Sequence, residues 1–205
     1  LERARRVLED EALREVVGDV EHDERLLAAL GETADPDLAL LGLARLASAA
    51  RSEEGLASLL RDVVGEDGAL ARTLAVLGAS TALGNHLVAR PAELAVLLDP
   101  SPGTGVDARS VRAELLAAVG ADPEAEVPVA TLEGEDGTAA MRRAYRRRLL
   151  RIAATDLSGR EPLTCMPAVG AALADLASAA LEASLALARS EVPGGGLEAR
   201  LAVIG

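Results

Sequence analysis

With 205 residues, half of them apolar, the chain has enough hydrophobic material for a substantial core in one large or two small domains. Its 33 acidic residues against 21 basic ones give a net charge of −12, which opposes non-specific binding to nucleic acid or to an anionic membrane. Every basic residue is arginine, so a Schiff-base lysine or a phosphate-loop lysine is excluded within these residues.

The first elements read as helices. The chain is expected to be helical from Glu2 to Val17, then in a short helix from Glu24 to Leu30. Asp35-Pro36 supplies a capping oxygen and a proline at the first helical position, opening an apolar helix through Leu46 to about Ala50. Ser52 is expected to cap the next one. There Leu56, Leu59, Leu60, Val63 and Val64 fall at i, i+3, i+4, i+7 and i+8, one apolar face. Leu70, Leu74 and Leu77 imply a further helix closed by Gly78. Ser80 caps one through Leu83, Leu87 and Val88, bounded by Pro91, and a short helix follows from Ala92 to Leu98. The tight spacing suggests antiparallel neighbours.

Asp99 to Gly105 is a loop by its turn residues, after which Asp107 caps a helix ending before Gly120. A second loop runs from Asp122 to Gly137. Val127 to Leu132 within it is read as loop rather than strand, because isolated strands are marginal. From about Thr138 to Leu157 a long helix carries Met141, Tyr145, Leu149 and Ile152 on one stripe, expected to be core. The last helix, roughly Pro167 to Ser190, repeats Leu173, Leu176, Ala180 and Ala183 among small residues that allow close approach, and these two helices are expected to pair. After Gly194-Gly195-Gly196, Arg200 to Gly205 reads as the start of a buried strand. The organisation implied is a helical bundle over 1–98, a loop-rich connection with one helix over 99–137, a long helix pair over 138–193, and a linker with the start of a strand over 194–205.

Few residues offer chemistry. One cysteine, Cys165, in the Pro162 to Pro167 turn, forms no internal disulfide, and the separated histidines His22 and His86 argue against a zinc site. His86 has no identifiable nucleophile beside it and reads as structural. A single aromatic residue, Tyr145, removes the platforms on which bases stack. With no secretory leader at Leu1-Glu2-Arg3 and no long uninterrupted apolar run, a cytoplasmic protein without membrane or nucleic-acid partners is expected. Glu53-Glu54 and Glu135-Asp136 fall at helix starts, where carboxylates favour the macrodipole.

The densest cluster is Arg142 to Arg151. Arg143, Arg147 and Arg151 recur at i, i+4 and i+8, and three guanidiniums in a row suit a phosphate or carboxylate. The plainer reading is a solvated face pairing with the many acidic residues. Asp156 beyond it reads as a helix-end ion-pair partner.

Three pieces in order carry a resemblance: Tyr145-Arg-Arg-Arg-Leu-Leu-Arg-Ile-Ala-Ala-Thr-Asp-Leu157, the long Leu-Ala-Asp-Leu-Ala helix, and Arg200-Leu-Ala-Val-Ile-Gly205. With Gly78 to Pro91, they resemble the bifunctional glutamine synthetase adenylyltransferase/adenylyl-removing enzymes over roughly Gly78 to Gly205. The resemblance implies an all-α, irregular multi-helix bundle ending at the first strand of a nucleotidyltransferase domain whose catalytic motif these residues do not contain. It implies an enzyme that transfers AMP from ATP to a tyrosine of glutamine synthetase and removes it by phosphorolysis, releasing ADP. Magnesium and ATP or phosphate would serve the full-length enzyme, with no cofactor, metal ligand or catalytic residue in this part. Glutamine synthetase, and the nitrogen-regulatory PII protein, are the implied partners. Arg143, Arg147 and Arg151 are the candidate anion or substrate supports. Arg148 stands where some family members carry an acidic residue. The alternative is a non-enzymatic helical adaptor for a protein partner.

Overall fold

A computed structural model describes residues 10–18, 23–159 and 161–192; the expected strand at Arg200 to Gly205 and His22 lie outside them. The fold is all-α: α1 (Glu11–Val16), α2 (Glu24–Gly31), α3 (Pro36–Ala50), α4 (Glu54–Gly65), α5 (Asp67–Ala79), α6 (Thr81–Ala89), a 3-10 turn (Pro91–Leu94), α7 (Ala95–Leu98), α8 (Ala108–Ala118), α9 (Gly134–Leu157) and α10 (Pro162–Ser190). They form two compact units. One comprises Leu1–Gly103 with Leu150–Met166, the other Thr104–Leu149 with Pro167–Gly205, so α9 and α10 each contribute to both.

In the first unit α3 is the hub, packing most extensively on α5 and also against α1, α6 and α4. Asp35 caps it as its sequence implies, accepting from the Leu38 N–H at 2.9 Å with Pro36 at the first position. Leu40, Leu43 and Leu46 of α3 and Leu70, Leu74 and Leu77 of α5, the two helices that pack most extensively, are all buried. Removing each such side chain from water contributes about 2 kcal/mol. Ser80 caps α6 through the Leu83 N–H.

Several boundaries differ from the sequence reading. Ser52 lies in a turn and Glu53 takes the cap position of α4 without a side-chain hydrogen bond. Gly78 is inside α5, against the Asp35 carbonyl and Thr33, rather than closing it. In the second unit α9 begins at Gly134, four residues before Thr138. The last helix begins at Pro162 and carries Pro167 internally, which places Cys165 in its first turns with Sγ at 3.1 Å from the Glu161 carbonyl. A proline that near the start loses only one early backbone bond and leaves the helix running.

Two tethers hold the 119–133 loop without strand pairing: the Ala130 N–H donates to the Ala186 carbonyl at 3.0 Å and the Leu132 N–H to the Val119 carbonyl at 3.2 Å. In this unit α9 comes close to α10 where Gly137 meets Leu187; a Cβ at Gly137 would collide with that side chain. The expected stripe is not the core face of α9: Ile152 is buried, but Met141, Tyr145 and Leu149 are only half-buried. In the second unit Gly137, Ala140 and Arg148 are buried instead, because small side chains let the neighbouring helix come close. On α10, Leu176 and Ala183 are buried while Leu173 is exposed. That helix is long and apolar enough to cross a membrane by length and composition. Glu182 within it pairs with Arg112 of α8, a contact belonging to a helical unit.

Candidate functional site in the arginine segment of α9

Four arginines of this chain donate to backbone carbonyls. Arg25 donates to the Val64 carbonyl at 3.0 Å and the Gly65 carbonyl at 3.4 Å, meeting the free carbonyls that end α4. Arg72, largely buried, does the same for α7 through the Leu97 and Leu98 carbonyls. Arg112 reaches the Pro123 carbonyl and Arg189 the Pro128 carbonyl, fastening the 119–133 loop. The planar fork suits such work because it holds several donors in one fixed plane.

Against that background α9 holds its arginines in three different environments. Arg142, Arg143, Arg146 and Arg147 are exposed. Arg148 is buried, its side chain only 5% exposed, with the Glu114 carboxylate of α8 at 3.9 Å and no hydrogen-bond partner for its Nε among the described residues. Arg151 is half-buried and its guanidinium lies 3.3 Å from the Asp99 carboxylate.

The structure therefore places Arg143 and Arg147 on exposed helix surface of one unit and Arg151 in an ion pair of the other. The i, i+4, i+8 spacing is real, but the three do not share one environment. The Asp99 carboxyl is held below its ordinary range chiefly by hydrogen bonds from the Ser101 hydroxyl and N–H, then by Arg151 and Arg72. Those partners fix it as an anion facing Arg151.

Sequence reading missed Asp99 as the partner of Arg151 and Arg148 as a buried residue. The first had no local signal, because its partner comes from a loop far along the chain. The second had one: Ala140, Ala144 and Arg148 recur at i, i+4 and i+8, so the arginine continues a small-residue stripe.

Chemically, the segment offers guanidinium donors and no nucleophile or general base aligned with them. Among the described residues no group of three or more His, Cys, Asp or Glu side chains converges to hold a metal ion. His86 is buried in α6, and Cys165 is partly exposed in the first turns of α10.

No family model matches the chain, and no solved structure matches it. Curated relatives do. The chain is 40% identical over 121 residues to a protein of Cutibacterium acnes, the match covering 59% of the chain and 12% of that relative. It is 42% identical over 107 residues to one from Leifsonia xyli subsp. xyli, covering 52% of the chain and 10% of the relative. It is 45% identical over 84 residues to one from Bifidobacterium longum subsp. infantis, covering 40% of the chain and 8% of the relative. The resemblance read from the arginine helix and its neighbours thus recurs in comparison: these relatives are bifunctional glutamine synthetase adenylyltransferase/adenylyl-removing enzymes, of whose length the matches span about a tenth.

Proposed function

We propose that this chain is a helical part of an enzyme that controls glutamine synthetase, adding AMP from ATP to a tyrosine and removing it by phosphorolysis with release of ADP. The 40% identity over 121 residues to a relative of that name carries the reading. In this proposal the helices support the enzyme and perform no chemistry of their own. Arg143 and Arg147 remain the candidate supports for an anionic group, while Arg151 is engaged by Asp99. Magnesium, ATP and phosphate belong to the catalytic domain of the whole enzyme, glutamine synthetase is its substrate, PII a regulator, and the cytoplasm its place.

The test is the coding sequence that contains residues 1–205. A glycine-rich turn followed by a spaced pair of aspartates, closely downstream of Arg200 to Gly205, supports the reading; a sequence without either sinks it. One observation favours the adaptor alternative: in the second unit Leu173 and Leu181 of α10 are exposed, and apolar side chains on a helix surface suit a protein partner. Under that reading charge reversal at Arg147 and Arg151 weakens partner capture and leaves AMP removal by the longer protein intact.

A further inference from the structure

Arg142, Arg143 and Arg146 differ from the other arginines of α9. All three are exposed, and none takes part in an ion pair or hydrogen bond among the described residues. Arg25, Arg51, Arg61, Arg72, Arg112, Arg148 and Arg151, by contrast, each face a carboxylate. The three lie within about a turn and a half of helix, with Arg142 and Arg146 stacked one turn apart at about 6 Å between their Cβ atoms. The nearest acidic residues before them on α9, Glu135 and Asp136, are about two turns away, beyond direct pairing. Like charges at this spacing repel one another. Among the described residues no carboxylate pairs with these three guanidiniums to relieve the repulsion.

We propose that Arg142, Arg143 and Arg146 form a docking ridge for a carboxylate-rich protein segment. Guanidiniums a helical turn apart match carboxylates at the same spacing on an acidic helix, each able to accept two parallel hydrogen bonds. A nucleic acid fits less well. The one aromatic side chain, Tyr145, is half-buried, so bases find no exposed stacking surface. The ridge rests on α9 alone and stands or falls independently of the family reading.

The test is fluorescence anisotropy of the 205-residue chain with a labelled alanine-based helical peptide carrying glutamates at i, i+4 and i+7. Salt of about 0.1 M brings the Debye length to about 10 Å, so the charge of the whole chain is screened and the local ridge decides. Saturable binding is expected, weakened about tenfold by the triple change Arg142→Ala, Arg143→Ala, Arg146→Ala and unchanged by Arg90→Ala with Arg109→Ala. A glutamine version of the triple change gives the same readout should the alanine version melt early. No saturable binding, equal binding by the triple variant, or equally tight competition by an oligothymidylate overturns the proposal.

Discussion

Asp99 and Arg151 meet at 3.3 Å, and this pair fastens the loop after α7 to the second half of α9. Two more contacts close the same junction. The Gly103 N–H donates to the Thr155 hydroxyl at 2.7 Å, and that hydroxyl donates to the Arg151 carbonyl at 3.0 Å. The arginine that sequence spacing offers as an anion binder is therefore engaged in holding the loop.

Arg151→Ala should lower stability by about 1 kcal/mol, through lost packing of its stem as much as lost charge. Because both partners are about one-third exposed, solvent screens the pair, and a double-mutant cycle with Asp99→Ala should give only a small coupling. Urea melts of the four proteins measure it. A coupling of several kcal/mol would mean a far drier pair.

Acid should loosen this junction in a defined window. The Asp99 carboxyl sits below its unfolded value of about 3.9, so its contribution is present above that pH and is lost as pH falls through the lower folded value. The melting temperature of Asp99→Asn should accordingly lie below that of the parent at pH 6 to 7, and the two should converge below about pH 4. A gap that stays constant down to pH 3 contradicts the assignment.

Gly103 tolerates no side chain. A Cβ there would lie against the Arg151 carbonyl and the Ile152 nitrogen, backbone atoms of a helix that cannot swing aside. Gly103→Ala should cost about 2 kcal/mol, in the range of overpacked cores, whereas Gly55→Ala in α4, where nothing lies nearby, should be neutral or stabilising. Thermal melts of the two variants provide the comparison.

Arg148 is buried with a carboxylate at 3.9 Å and an Nε that finds no acceptor. A charge so placed gains little over an apolar side chain of similar length. Arg148→Met should therefore change stability by less than about 1 kcal/mol or raise it, while Arg148→Glu, facing Glu114, should cost about 3 kcal/mol. A loss of 3 kcal/mol or more in Arg148→Met would show that the guanidinium is held by more than Glu114.

Helices with a local signature were readable in advance. Asp35-Pro36 opens α3 and Ser80 caps α6 because a cap is a matter of three or four adjacent residues. Of the spaced face of α4, Leu60, Val63 and Val64 are buried and Leu56 and Leu59 half-buried. What the sequence hid depends on distant partners. Pro167 looked like a helix start, yet a turn of helix precedes it, since the residues before a proline are disfavoured in a helix but not barred from it. The stripe from Met141 to Ile152 looked like core on apolarity alone. In the second unit close helix approach selected the small face with Gly137 and Ala140, burying Arg148 with it. The candidate site was legible as a cluster and not as a division of labour, because the roles of Arg148 and Arg151 are set by Glu114 and Asp99 from elsewhere in the chain.

The most direct test of the proposed function uses the complete protein translated from the gene that encodes these residues. Incubated with adenylylated glutamine synthetase and inorganic phosphate, it should release ADP, and the mass of glutamine synthetase should fall by one AMP per modified tyrosine. Glutamine synthetase that keeps its AMP, and that gains none from ATP when presented unmodified, would contradict the account.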